Sequence, residues 1–227
     1  MDKTSRRYGP GMGLVRRLFR RSFDQVDAYA PLWAHANAAA LEQDGPLWLV
    51  LGDSAAQGVG ASAHDRGYVG LVLERLRATG EPWRVVNLSR SGARTREVVD
   101  EQWPAGGTLG ADLVTAVIGG NDALRTREDL WQRGVEDLCA ALPPGAVVST
   151  TARGVFERKT ARVNAVLRAR AAERGLRVAD LWKHTGPPYK GLYFDGFHPN
   201  DRGYVQWADA VWEAIGTPPA REVPGGS

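Results

Sequence analysis

Leu47, Trp48, Leu49, Val50 and Leu51 form an apolar run that stops abruptly on Gly52, Asp53 and Ser54. The run is too short for an ordinary helix and shows no alternation, the pattern of a strand buried on both faces. Such a strand belongs inside a parallel sheet. In open parallel sheets ligands bind beyond the carboxyl ends of the strands, so Ser54 is predicted to lie on the edge where chemistry is done. Gly52 permits a sharp turn there and Asp53 tolerates turn geometry. A lone Gly-Asp-Ser also recurs by chance, and by itself reads as a plain strand-to-loop turn.

The remainder of the chain repeats this strand-then-helix pattern. Further strands are predicted over 84–88, 113–118, 146–150 and 177–182. Helical patterns fall over 24–42, 66–78, 95–103 and 157–174, the third ended by Pro104. Another helix starts at Thr126 with Asp129 in the capping-box position and is closed by Pro143, Pro144 and Gly145. Pro199 opens the last helix, with Tyr204, Trp207, Ala208, Val211, Trp212 and Ile215 as its inner face. Alternation of this kind gives parallel βαβ units and the α/β class. The connection from Lys183 to Phe197 is long where βα loops are mostly about 2 to 6 residues, and long loops are often functional.

A chain of 227 residues suffices for one domain with tails. Cys139 is the only cysteine, which excludes an intrachain disulfide or a cysteine-based zinc site. It falls beside the apolar spacing of Trp131, Val135, Leu138 and Leu142, as a small core residue would. The formal charge is +3, yet arginines at 6, 7, 16, 17, 20 and 21 crowd the start of the chain. Leu14, Val15, Leu18 and Phe19 interleave with them, which suits either a short helix on an anionic membrane or partner surface, or one packed on its own domain. No stretch approaches the roughly 20 apolar residues of a membrane span, and no secretory leader pattern is visible. A cytoplasmic location is expected, with no nucleic-acid partner.

Three strand ends carry groups suited to acyl transfer: Ser54 after the first strand, Gly92 after the second and Asn121 after the third. In a flavodoxin-like strand order, 2-1-3-4-5, these ends are neighbours at the switch point. The backbone N–H groups of Ser54 and Gly92 and the amide of Asn121 could then stabilise an oxyanion, with glycine at 92 leaving room for its close approach. The long loop ends in Asp195, Gly196, Phe197 and His198, offering a base for the serine and a carboxylate to orient it. Asp53 and Asp122 either form turns or position the groups beside them.

With these blocks the chain resembles the SGNH hydrolases, also called the GDSL lipase/esterase family. The matching blocks are Gly52-Asp53-Ser54, Gly92 after Asn87, Gly119 to Asp122, and Asp195 to His198 followed by Pro199, Asn200, Gly203 and Tyr204. The resemblance implies a three-layer α/β/α sandwich and no cofactor; the strand pattern already read supplies a five-stranded parallel sheet, and no His/Asp/Glu cluster has zinc spacing, so no metal is expected. The resemblance also implies Ser54 as nucleophile, His198 as base, Asp195 as its partner, and Gly92 and Asn121 as oxyanion donors. The substrate would be a small-molecule or lipid ester, or a thioester. The expected division is a basic arm and helix over 1–45, the hydrolase domain over 46–216 and a disordered tail over 217–227.

Two rival readings stand beside this one. Gly58, Gly60 and Ala63 fit a variant dinucleotide pattern, G-x-G-x-x-A, but too far beyond the strand, and the second strand ends in Asn87 and Leu88 with no acid to hold a ribose. A catalytically silent binding module on the same fold would leave the full set of groups idle. His64 could touch substrate or be an ordinary loop residue. Tyr189, Leu192, Tyr193 and Phe194 are candidates for the wall of an acyl pocket.

Overall fold

The computed structural model describes residues 20–154 and 156–216. Five strands form one parallel sheet in the order β2-β1-β3-β4-β5: β1 Leu47–Gly52, β2 Arg84–Asn87, β3 Leu113–Val117, β4 Val147–Ser149 and β5 Arg177–Ala179. All four pairings are parallel. This is the expected order, and it brings the carboxyl ends of β2, β1 and β3 side by side.

Burial on both faces explains the unbroken apolar run of β1. Trp48 and Val50 point to one side, where they pack with Trp33, Tyr68, Val72, Tyr204 and Val211. Leu47, Leu49 and Leu51 point to the other, against Trp131, Leu138, Val163 and Leu167. Each fully buried aliphatic side chain contributes about 1.5–3 kcal/mol, so β1 anchors both layers. Cys139 is buried in the second layer, as its spacing suggested. The indole N–H of Trp48 donates to Thr115 Oγ1 at 3.0 Å, which satisfies the polar atom of an otherwise apolar strand.

The covering helices are α1 Arg20–Leu41, α2 Tyr68–Arg77, α3 Gly120–Arg125, α4 Glu128–Ala141, α5 Glu157–Glu173, α6 Leu181–His184 and α7 Asp201–Ile215. A further helical segment spans 95–106 with a π turn at Val98–Gln102. α1 lies on the edge strand β2. Asn37 donates to the Asn87 carbonyl and accepts from the Asn87 N–H, both at 2.8 Å, standing in for a neighbouring strand.

Several boundaries differ from expectation, each for a local reason. Pro104 does not end its helix, because it falls in the first turn of the segment that follows the π turn, where no N–H is needed. Thr126 does not cap α4: its hydroxyl donates to Asp122 at 2.9 Å, Arg127 precedes the first turn, and 120–125 forms a separate helix. β5 stops at Ala179 rather than running to Trp182, because Asp180 accepts from the Lys183 N–H and starts α6. The cap of α7 is Asn200, whose side chain accepts from the N–H groups of Arg202 and Gly203; Pro199 lies outside the helix. The basic arm, the short helix read at Leu14 to Phe19 and the tail over 217–227 lie outside the described residues.

Candidate active site

Only Asp53 separates Ser54 from the end of β1, and Ser54 is buried. Its Oγ lies 3.0 Å from His198 Nε2, and His198 Nδ1 lies 2.7 Å from Asp195 Oδ2. A small closure of the final loop brings the last two together. The Phe194 N–H donates to the His198 carbonyl at 2.8 Å, and a β-bridge joins Tyr193 to Pro199. Inside that turn, Asp195 Oδ1 accepts the N–H groups of Phe197 at 2.9 Å and His198 at 2.7 Å. One carboxylate oxygen therefore shapes the turn while the other holds the imidazole.

Burial alone would raise the Asp195 carboxyl, but hydrogen bonds from His198 and Ser22 outweigh it and hold the group well below the usual carboxylate range. Asp195 is thus ionised at neutral pH and can only accept. The proton of a neutral His198 then resides on Nδ1, which leaves the Nε2 lone pair facing Ser54.

Asn121 ties the three strand ends together. Its Nδ2 donates to the Ala93 carbonyl at 3.0 Å, beside Gly92, and to Asp53 Oδ2 at 3.2 Å, beside Ser54. Among the described residues, the N–H groups of Ser54 and Gly92 have no acceptor. Gly92 adopts φ +81°, and a Cβ there would meet nothing within 4 Å. The left-handed backbone at this position favours glycine.

Asp53 is buried, with Oδ1 accepting the Ala55 N–H at 3.0 Å. Burial pushes its carboxyl up to about 6, against the pull of the Ala55 and Asn121 bonds and the His198 charge. Burial also raises Asp122, opposed by bonds from Thr95 and Thr126. A carboxyl at about 6 when folded against 3.8 unfolded makes the native state bind more protons between those values. Its contribution to stability therefore falls as pH rises through that window, by about 3 kcal/mol in full. Asp53→Asn removes this component. The unfolding free energy of the variant minus that of wild type is expected to grow by about 2.4 kcal/mol from pH 4 to pH 7 in urea titrations. A difference that does not change with pH would contradict the raised carboxyl.

Three supporting residues escaped sequence reasoning. Gln102, buried in the π turn, accepts the Gly52 N–H and donates to the Gly52 carbonyl, both at 2.8 Å, bracing the end of β1. Gln57 donates to the Ser89 carbonyl at 3.1 Å and accepts from Ser91 at 2.7 Å, which links the loop after Ser54 to the loop before Gly92. Ser22, in α1, donates to Asp195 Oδ2 at 2.5 Å.

A cavity of about 510 Å³ opens beside Ser54 and His198. Its wall is chiefly apolar and includes Ile118, Leu181, Tyr189, Tyr193, Phe197 and Trp207, with Asp53, Arg153 and Lys190 as ionisable members beside His198. Of the four aromatic and aliphatic candidates, Tyr189 and Tyr193 line it. Leu192 and Phe194 do not: Phe194 packs under the Arg21 guanidinium at 5.5 Å. Gly92 and Asn121 are not part of the cavity wall either. His64 sits edge-on against Trp33 at 5.3 Å, outside the wall. The dinucleotide-like glycines serve packing. A Cβ at Gly60 would lie 2.2 Å from the Pro199 carbonyl oxygen and 3.0 Å from His198 Cβ, so the loop passes tight against the histidine. Among the described residues no cluster of His, Cys, Asp or Glu is arranged to hold a metal ion, and no helix is long and apolar enough to cross a membrane.

The chain is similar to the solved structure of TesA, with 23% identity over 74% of this chain and 97% of that one and a TM-score of 0.65. It is also similar to Axe2, an acetylxylan esterase from Geobacillus stearothermophilus, at 23% identity over 76% and 95% of the two chains, TM-score 0.65. The psychrotrophic esterase EstA from Pseudoalteromonas sp. aligns at 17% identity over 74% and 96%, TM-score 0.60. At these identities the likeness establishes the fold. No curated protein matches the chain. The model of the GDSL-like lipase/acylhydrolase family matches residues 50–206, from β1 into α7. With that match running from the end of β1 through the other four strands and covering every block from Gly52 to Tyr204, the chain belongs to the GDSL-like lipase/acylhydrolase, or SGNH hydrolase, family of carboxylic ester hydrolases.

Proposed function

We propose that the protein cleaves a carboxylic ester or thioester through an acyl-Ser54 intermediate. The observation that carries this is the continuous chain Ser54 Oγ, His198 Nε2, His198 Nδ1, Asp195 Oδ2 at 3.0 and 2.7 Å, on the wall of an apolar cavity. Ser54 Oγ attacks the carbonyl carbon as His198 Nε2 takes its proton. The same proton passes to the leaving alcohol or thiol as the ester bond breaks, and water then releases the acid by the reverse sequence. Asp195 orients the ring and stabilises the imidazolium. The oxyanion is held by the N–H groups of Ser54 and Gly92 and by the Asn121 amide, whose longer bond to Asp53 at 3.2 Å is the one exchanged for the oxyanion. Asp53 and Asp122 hold the donors in place.

The acyl group occupies the cavity against Tyr189, Tyr193 and Phe197. Transfer of the acyl group to an alcohol other than water uses the same steps. The reading includes a cytoplasmic location and weak contact of the basic N-terminal segment with anionic membranes, which sedimentation with anionic vesicles tests.

p-Nitrophenyl esters from acetate to long chains test the whole reading. The expected result is hydrolysis whose kcat/KM rises with chain length, by at most about fourfold per added methylene, until the cavity is filled. No hydrolysis at any length would favour a silent binding module. Equal rates at all lengths would remove the cavity as the acyl site.

A further inference from the structure

α1 precedes the residues matched by the family model, yet one face of it reaches the candidate site. Residues 22, 25, 29, 33 and 37 recur at helical spacing, and each hydrogen-bonds outside the helix. Gln25 accepts the Gly60 N–H at 2.8 Å and donates to the Ala61 carbonyl at 2.9 Å, while Tyr29 donates to the same carbonyl at 3.0 Å. Trp33 donates to the Gln57 carbonyl at 3.0 Å, and Asn37 pairs with Asn87. This row fixes the helix against the loop that begins at Ser54 and runs under His198. Ser22 is the last member of the row. It is buried although Arg20, Arg21, Phe23 and Asp24 around it are exposed.

We propose that Ser22 is a positioning residue of the reaction, its hydroxyl holding the Asp195 carboxylate in the orientation that receives His198 Nδ1–H. The inference rests on the roles given to Asp195 and His198 above. Ser22 Oγ donates to the same oxygen, Oδ2, that faces the imidazole. The other donors to Asp195 are Phe197, His198 Nδ1 and the His198 backbone, all from its own turn, so they fix the carboxylate relative to the turn alone. Among the described residues, the Ser22 bond, spanning 173 positions of chain, is the one that ties it to the body of the protein. Because α1 is itself clamped to the loop after Ser54, the bond relates the acid to the nucleophile. Ser22 touches neither substrate nor the reacting atoms, and acts through Asp195.

The test is Ser22→Ala made in the wild type and in Asp195→Ala, with ester hydrolysis measured in all four proteins and in Ser54→Ala. Alanine favours helix at least as well as serine, so α1 persists, as circular dichroism would verify. Hydrogen bonds to a charged group are worth enough for a loss of about tenfold or more in kcat, with KM within about twofold of wild type. In Asp195→Ala the same change should have almost no effect, because its target is gone. A wild-type kcat in Ser22→Ala, or the same loss with and without Asp195, would overturn the proposal. Those outcomes beside an inactive Ser54→Ala would leave the reaction assignment intact, whereas an active Ser54→Ala would remove the assignment on which the proposal depends.

Discussion

Ser54→Ala is expected to lower kcat for ester hydrolysis by roughly a millionfold while leaving the fold in place. The size follows from the loss of covalent catalysis altogether: without Oγ, no acyl intermediate forms, and His198 has no proton to take from the enzyme. What remains is the oxyanion site and the cavity, which still bind and polarise an ester. The fold should be indifferent. Ser54 Oγ makes its hydrogen bond to His198, a partner held independently by Asp195, so unfolding free energy should stay within about 1 kcal/mol of wild type. Kinetics on a p-nitrophenyl ester with urea unfolding of the same preparation check both halves. A variant that keeps more than about a thousandth of the rate would contradict the role of Ser54.

Asp195→Asn is expected to lower kcat by about ten-thousandfold, through the tautomer of His198 rather than through lost structure. The two backbone N–H groups of Phe197 and His198 need an acceptor, so the asparagine oxygen turns to them. Its NH2 group then faces His198 Nδ1 and the Ser22 hydroxyl. An amide donating to Nδ1 forces the ring proton onto Nε2, the nitrogen that must accept from Ser54. KM should change little, since Asp195 is not on the cavity wall. Steady-state kinetics at pH 7 and pH 9 check this, and a loss below about tenfold would contradict the assignment.

The sheet was legible because its strands are buried on both faces: an apolar run such as 47–51 has few other folds open to it, and turn residues mark each end. The convergence of the candidate site's blocks was legible for a related reason. A parallel sheet places every block that follows a strand on one edge, so Ser54, Gly92 and Asn121 converge once the order is known. Element ends read less well, because the same short polar side chains had competing local partners: Thr126 turned back to Asp122 instead of capping α4, and Asp180 capped α6 and so ended β5 early. The braces were hidden altogether. Gln102, Gln57 and Ser22 are ordinary polar residues whose work depends on what the fold sets opposite them. In α1 a helical row of polar and aromatic residues was present in the sequence, but nothing local says that its partners are the loops around Ser54, 17 to 32 positions away from its two ends.

The central claim, that Ser54 forms a covalent bond to the electrophilic centre of its substrate, is tested most directly by trapping it. The full chain would be treated with diethyl p-nitrophenyl phosphate and analysed by intact-mass and peptide mass spectrometry. The expected result is one diethylphosphoryl group per chain, carried on Ser54, with hydrolytic activity lost in step and no adduct on Ser54→Ala. A modified protein that keeps its activity, or an adduct formed equally in Ser54→Ala, would contradict it.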